Sequence, residues 1–202
     1  MNAPSSEIDD ALRSRQHIAR ENFVRWIEPA SELETLAKLH YLASTAYDRI
    51  QPELGLNVAC TLALRYFLEC VKANVQHSGM IESRFGATQN LLDWFYHLAE
   101  MDEGQSAILT QAASAITEFY LASNHEVQDA IENGLLKHAL EIVALRLYFE
   151  HWSADRRLSD AWKRALKWGE AHPNYTWNQL KELHKMQLGP TRGHRKLNAT
   201  SE

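Results

Sequence analysis

The chain has 202 residues, of which 45% are hydrophobic and 23% are charged, and its formal net charge at pH 7 is −5. These proportions are ordinary for a globular protein and exclude general disorder. Eight glycines and five prolines are too few for the many tight turns of a sandwich or barrel, so the composition favours helices.

Apolar residues recur with the period of an α-helix along most of the chain, and no segment alternates as a strand would. In the first segment the apolar stripe includes Ile8, Phe23 and Trp26, and Pro29 ends it. The pattern predicts helices over 6–28, 31–50, 53–77, 80–101, 104–123, 125–152, 158–171 and 176–188. The fold class is therefore all-α, a single-domain bundle of about seven to eight helices over residues 1–188. Residues 189–202 lack an apolar period, and we expect a flexible tail there.

Several predicted helices begin with a capping box, in which Ser, Thr or Asp is followed three residues later by Glu or Gln. The first side chain of such a box accepts a hydrogen bond from a free backbone N–H at the helix start, and the second reaches back. The pairs are Ser31 and Glu34, Asp102 and Gln105, Ser123 and Glu126, and Thr176 and Gln179.

Two stretches, 53–77 and 135–152, are apolar almost all round, which is typical of helices that neighbours cover on several sides. Short runs recur in the same order around them and indicate a duplication with units 31–101 and 104–188. The alternative is that helical proteins reuse so few residue types that short matches arise by chance. The matching runs are Tyr-Leu-Ala-Ser at 41–44 and 120–123, and Ala-Leu-Arg at 63–65 and 144–146, each Arg followed four residues later by Glu.

The cysteines and the hydropathy of the chain indicate in which cellular compartment the protein is expected. Cys60 and Cys70 lie in one predicted helix, about 15 Å apart at a rise of 1.5 Å per residue, which is too far for a disulfide. The N-terminus carries charges where a signal peptide needs an apolar stretch, and no apolar run reaches the roughly 18–20 residues of a membrane span. We expect a soluble, cytoplasmic protein that does not enter a membrane.

The motifs of metal, phosphate and nucleophile chemistry are missing from the sequence. Ten histidines include no His-Glu-x-x-His, and Asp93 with His97 or His138 with Glu141 could each supply only half of a metal site. The sequence has no Gly-rich phosphate loop and no Gly-x-Ser-x-Gly elbow. We therefore expect no metal, no cofactor and a binding function rather than catalysis.

One segment offers a catalytic alternative. Its Arg146-x4-His151 spacing resembles the motif of the HEPN superfamily, all-helical domains many of which are metal-independent ribonucleases. The resemblance implies that Arg146 and His151 would position a phosphate and assist attack by an RNA 2′-hydroxyl across a dimer. This sequence departs from the family pattern at Leu147, and the matching unit has Arg65 but Cys70 in place of the histidine. Both units share Arg with Glu four residues later, which alternatively predicts a structural ion pair.

Charge is distributed unevenly along the chain. Residues 1–151 hold 11 Lys and Arg against 21 Asp and Glu, whereas residues 152–202 hold 10 against 5 and contain four of the six tryptophans. Basic side chains neutralise phosphates and exposed aromatic rings stack on bases, which predicts a nucleic-acid or partner surface. Alternatively, the tryptophans belong to the core and the cations solvate a helix face or pair with the acidic remainder. The candidate binding residues are Arg156, Arg157, Lys163, Arg164, Lys167, Trp168, Arg192, Arg195 and Lys196.

The predicted function is that of a non-catalytic interaction subunit or adaptor. It would dock onto a larger protein complex, nucleoprotein in character, through the basic, Trp-rich C-terminal region. The first alternative is a HEPN-like metal-independent ribonuclease that uses Arg146 and His151. The second is a helical oligomerisation or regulatory protein, such as a homo-oligomer, that binds no nucleic acid.

Overall fold

The computed structural model describes residues 5–52, 54–100 and 106–174. Within these ranges the chain is helical apart from turns and two strands of two residues each, so the all-α prediction is confirmed. The α-helices are α1 (Ser5–Arg13), α2 (Arg20–Ile27), α3 (Leu33–Thr45), α4 (Leu56–Ala73), α5 (Arg84–Glu100), α6 (Ser106–Ala122), α7 (His125–Ile131), α8 (Lys137–Ala139), α9 (Val143–Phe149) and α10 (Ser159–Ala171).

Shorter elements join some of these helices. A π-helical turn, Glu132–Leu136, connects α7 directly to α8, and 3₁₀ turns cover Tyr47–Arg49 and Glu150–Ser153. The predicted helix 176–188, the predicted tail 189–202 and the capping boxes at 102–105 and 176–179 lie outside the described residues.

The first predicted helix, 6–28, is wrong in its middle, where the chain forms a strand instead. Ile18–Ala19 (β1) pairs in parallel with Ile50–Gln51 (β2), and Ile18 stands opposite Ile50. Both isoleucines are buried, so the extended segment delivers apolar side chains to the core while its backbone pairs. Arg49 supports the break, since its Nη2 donates to the Ala11 carbonyl at 2.8 Å and its Nε donates to the Gln16 carbonyl at 3.1 Å.

Helix α4 lies in the core between α3 and α5, as its apolar composition predicts. Its two cysteines, Cys60 and Cys70, are buried free thiols. Burial raises the pKa of the Cys60 thiol to about 11, so this thiol stays protonated near neutral pH and fills core space rather than acting as a nucleophile.

The long predicted helix 125–152 is interrupted by the π-helical turn and then by an extended residue, Ile142. The interruption lies where α10 crosses closest. A Cβ built on Gly169 of α10 would lie 2.5 Å from the carbonyl carbon and oxygen of Leu140. The inner side of the stretch is buried as predicted, but Val143 and Leu147 on α9 are 59% and 60% exposed, so neighbours do not cover this stretch all round.

The two predicted capping boxes that fall on described residues, at 31–34 and 123–126, do not form, so these predictions are wrong. Helix α3 begins after Glu32, whose side chain makes no capping hydrogen bond. Helix α7 is capped by Asn124, whose side-chain oxygen accepts a hydrogen bond from the Val127 N–H at 3.1 Å. The Ser123 hydroxyl instead donates to the carbonyl of Phe119 at 2.6 Å, a local bond that competes with capping.

The division into two duplicated units stays a prediction. Ser44 and Ser123, at the ends of α3 and α6, both donate to the carbonyl four residues earlier. The connections that follow differ, because a 3₁₀ turn and β2 precede α4, whereas α7, the π-helical turn and α8 precede α9.

The contact between Gly169 and Leu140 generates a stability prediction. We expect Gly169→Ala to lower the free energy of unfolding by about 1–3 kcal/mol, because the added methyl meets backbone atoms that cannot rotate away. The matched control is Gly55→Ala, whose Cβ would have nothing within 4 Å. Urea unfolding followed by circular dichroism measures both variants, and an equal loss in the control would contradict the packing argument.

Candidate functional site

Helix α10 and the segment from α7 to α8 enclose a cleft of about 710 Å³, which we call the α10 cleft. Residues three to four apart on a helix share one face, so α10 presents several cleft residues together. Three predicted binding residues, Arg164, Lys167 and Trp168, meet here. The rest of the lining is His125, Asp129, Glu132, Asn133, Lys137, Ala171 and His172.

A buried carboxylate anchors α10 to the opposite side of the cleft. Glu132, in the π-helical turn, is 8% exposed. Its two oxygens accept hydrogen bonds from Arg164 Nη2 at 3.0 and 2.9 Å, and Arg164 Nε lies 3.2 Å from Oε2. The Tyr120 hydroxyl donates to Oε1 at 2.6 Å, and burial raises the pKa of Tyr120, so the hydroxyl keeps its proton. Arg164 therefore joins two elements, and Glu132 neutralises its charge.

Trp168 is held by several neighbours, among them His138, whose ring meets the indole edge-on with centroids 6.4 Å apart. Its Nε1 donates to Glu141 Oε1 at 3.0 Å, and its ring stacks on His172 with centroids 4.0 Å apart. Lys137 Nζ lies over the indole, 5.4 Å from the ring centroid, in a cation–π contact. Trp168 is still 38% exposed, but a base that stacks on the occupied face has to displace His172.

The lining holds three cations, Lys137, Arg164 and Lys167, against the carboxylates of Asp129 and Glu132. Two of these cations, Lys137 and Lys167, have no carboxylate partner in the described ranges. Lys137 donates to the side-chain oxygen of Asn133, a neutral partner. Lys167 is exposed, and within the described ranges no carboxylate lies at ion-pair distance from it. Asp129, the other carboxylate of the lining, lies 3.8 Å from His125. Lys137 is on α8 and Lys167 is on α10, so the two lysines lie on the two sides of the cleft.

Three further predicted cations, Arg156, Arg157 and Lys163, lie within the described residues and do not line the cleft. Arg157 binds Asp155 at 2.9 Å, and Lys163 lies 3.7 Å from Asp160. Arg156 is exposed. Arg157 and Lys163 thus pair with acidic residues of their own C-terminal region, and Arg164, through Glu132, pairs with the acidic remainder as one sequence alternative held. Arg192, Arg195 and Lys196 lie outside the described residues.

Sequence reasoning missed Lys137 and Glu132 as site residues, because both precede the basic C-terminal region. A signal was available. Glu132, Asn133 and Lys137 are polar residues inside a stretch that is otherwise strongly apolar, and Asn133 and Lys137 have the helical i, i+4 spacing.

The alternative catalytic pair, Arg146 and His151, makes contacts with two separate parts of the fold. Arg146 Nε donates to the Leu140 carbonyl at 2.8 Å. His151 Nε2 lies 3.0 Å from the Thr117 hydroxyl, which already donates to Ala113 and accepts from the Trp152 indole. Because a hydroxyl has one proton to give, His151 Nε2 acts as the donor in this contact, which leaves Nδ1 for other partners.

The prediction of an ion pair between Arg and the Glu four residues later is wrong for both Arg65 and Arg146, which bind backbone carbonyls instead. Arg65 donates to the backbone carbonyls of Ile27 and Ala30, while Glu69 lies 3.4 Å from Lys72. Arg146 likewise donates to a backbone carbonyl rather than to a carboxylate. Carbonyls in irregular, half-buried segments lack helical donors, and a guanidinium satisfies them more favourably than it would form an exposed ion pair.

The described ranges contain neither a complete metal site nor a membrane-spanning helix. His138 Nδ1 and Glu141 Oε1 lie 2.8 Å apart, on the carboxylate that Trp168 also binds. No group of three or more His, Cys, Asp or Glu side chains in these ranges could hold a metal ion. No helix in them has the length and apolar character needed to cross a membrane.

Comparison of the chain with protein-family models, with curated proteins and with solved structures finds no match. The geometry and charge of the α10 cleft are therefore the basis for a proposed function.

The contact between Arg164 and Glu132 should contribute to the stability of the fold. We expect Arg164→Ala to lower the free energy of unfolding by about 1–2 kcal/mol, because Glu132 stays buried with Tyr120 as its remaining side-chain donor. The expected loss in the free energy of unfolding is small because the Arg164 side chain is 59% exposed, so water replaces part of its interaction with Glu132. Arg157→Ala is the control, since it breaks an exposed ion pair with Asp155. Urea unfolding that gives the same loss for both variants would contradict the anchoring role.

Proposed function

We propose that the protein is a non-catalytic binding subunit that holds the phosphate backbone of a single-stranded nucleic acid in the α10 cleft. The observation that carries the proposal is the presence of Lys137 and Lys167 on the two sides of the cleft, both free of a carboxylate partner in the described ranges. In a chain of net charge −5, this is a local concentration of available positive charge. Phosphates bound between the two ammonium groups would release counterions, which favours binding.

The size and construction of the cleft support this proposal. About 710 Å³ is within the range of small-ligand sites and suits one or two nucleotides of a longer strand. The bond between Arg164 and Glu132 holds the two sides at a set separation, so little ordering is needed on binding. The π-helical turn in one side is a feature that is frequent at functional sites.

Trp168 provides the base contact in this proposal. His172 is exposed, and its Nδ1 lies 3.0 Å from the Trp168 carbonyl, so an unpaired base that stacks on this face of the indole has to displace the histidine ring from that contact. Stacking of this kind tolerates every base, because each base has a π face. The proposed binding is therefore led by phosphate contacts and has little sequence preference.

Binding of a fluorescein-labelled oligouridine of about 12 nucleotides, followed by fluorescence anisotropy at several salt concentrations, tests the proposal. We expect Lys137→Gln with Lys167→Gln to weaken binding and to reduce the slope of log K against log salt by about 1.4, which corresponds to two lost phosphate contacts. The matched control is Lys163→Gln, an exposed lysine of α10 outside the cleft, which should keep the slope of the unaltered protein.

Three outcomes would overturn the proposal. The first is the absence of binding at about 50 mM salt, where phosphate contacts are strong. The second is an equal loss in Lys163→Gln, which would indicate a diffuse charge effect. The third is RNA cleavage in EDTA that disappears in His151→Ala while the fold is kept, which would favour the ribonuclease alternative.

A further inference from the structure

A second cavity of about 420 Å³ lies between α3, α4, α5 and the loop of residues 74–83. We call it the aromatic pocket, because rings from all three helices line it. They come from His40 and Tyr41 of α3, Tyr66 and Phe67 of α4, and Trp94 of α5, and the loop adds Glu82. The described lining contains no Lys and no Arg.

Contacts within the protein hold the rings of the aromatic pocket in place. His40 stacks on Tyr66 with centroids 4.4 Å apart and planes 16° apart, and Phe67 meets the imidazole edge-on at 5.1 Å. The Tyr66 hydroxyl donates to the Met80 carbonyl at 2.6 Å and accepts from the Glu82 N–H at 3.2 Å. A ligand therefore meets an ordered aromatic surface and loses little free energy to ordering it.

The loop that carries Glu82 is also ordered by its backbone. Ser78 and Ile81 exchange N–H to carbonyl hydrogen bonds of 3.0 and 2.9 Å, which closes a tight turn. Gly79 within this turn has φ +58°, a left-handed conformation that favours glycine. The turn keeps Glu82 next to the rings, where its N–H is bonded to Tyr66.

Glu82 gives the pocket its negative charge. Its carboxylate is 29% exposed and lies 3.2 Å from His77 Nδ1. Burial lowers the pKa of His40, although the charge of Glu82 opposes this, so the imidazole is neutral near pH 7. An anion would find no cationic side chain in the lining, and a neutral apolar ligand would desolvate the carboxylate without compensation. A cation interacts favourably with the ring faces and with the carboxylate.

We propose that the aromatic pocket binds a small organic cation with a methylated ammonium headgroup, of which choline is the simplest probe. A quaternary ammonium has no N–H to satisfy, which suits a lining whose Tyr66 hydroxyl is already bonded twice. A primary ammonium needs several acceptors and suits it less well. The pocket is separate from the α10 cleft, so this inference does not rest on the proposed nucleic-acid function.

Isothermal titration calorimetry with three ligands of similar shape tests the charge requirement. Choline is the cation, 3,3-dimethylbutan-1-ol is its uncharged isostere, and ethanolamine carries a primary ammonium. We expect choline to bind about 2- to 30-fold more tightly than the isostere, the range that cation–π contacts give. Ethanolamine should also bind more weakly than choline. Equal binding of the isostere, or no binding of choline at millimolar concentration, would overturn the proposal.

Variants locate the binding to this pocket. Tyr41→Leu removes a ring that is 43% exposed, and Glu82→Gln removes the charge while keeping the shape. Each should weaken choline binding about 2- to 30-fold with the circular dichroism spectrum unchanged. Tyr47→Leu, at a tyrosine that is 67% exposed and outside the lining, is the matched control and should bind choline as the unaltered protein does. An equal loss in Tyr47→Leu, or full binding by both pocket variants, would overturn the assignment.

Discussion

One buried carboxylate joins α10 to two other elements of the fold, in addition to the apolar packing of Ala161, Trp162 and Ala165 in the core. Glu132 lies in the π-helical turn with little exposure to water, and a charge in that position is stable only when strong donors surround it. Tyr120 supplies one donor from α6, and Arg164 supplies the others from α10. Three elements, α6, the π-helical turn and α10, therefore share one hydrogen-bonded group, and this group links the two sides of the α10 cleft.

Both proposed sites lie where the chain departs from regular helix. The α10 cleft borders the π-helical turn, and the aromatic pocket borders the loop of residues 74–83. At such places side chains are no longer committed to the regular packing of one helix on another, so charges and rings can face a cavity. The two sites differ in charge. Lysines dominate the available charge of the first, and Glu82 dominates that of the second, so they call for ligands of opposite sign.

Sequence reasoning predicted the helical class and most helix positions, because the helical period of apolar residues is a local signal. It failed wherever a tertiary contact decided the outcome. The strand at Ile18–Ala19 forms because its partner, Ile50–Gln51, lies far along the chain. The π-helical turn and the extended residue Ile142 interrupt the predicted helix on either side of α8, where α10 packs against it. The cleft was predicted in part, since Arg164, Lys167 and Trp168 were among the candidate binding residues, whereas Lys137 and Glu132 come from another element and were not.

The sequence by itself determined that this protein is built of helices, that its basic side chains are concentrated toward the C-terminus, and that Arg164 and Trp168 lie on one flank of a helix. These are properties of composition and of a 3.6-residue period, which need no knowledge of neighbours. Only the tertiary structure decided which charges remain available. A carboxylate such as Glu132 neutralises Arg164 across 32 residues of sequence, while Lys137 keeps its charge beside a neutral amide. Charge pairing acts over a few ångströms in space, and sequence order does not reveal that separation.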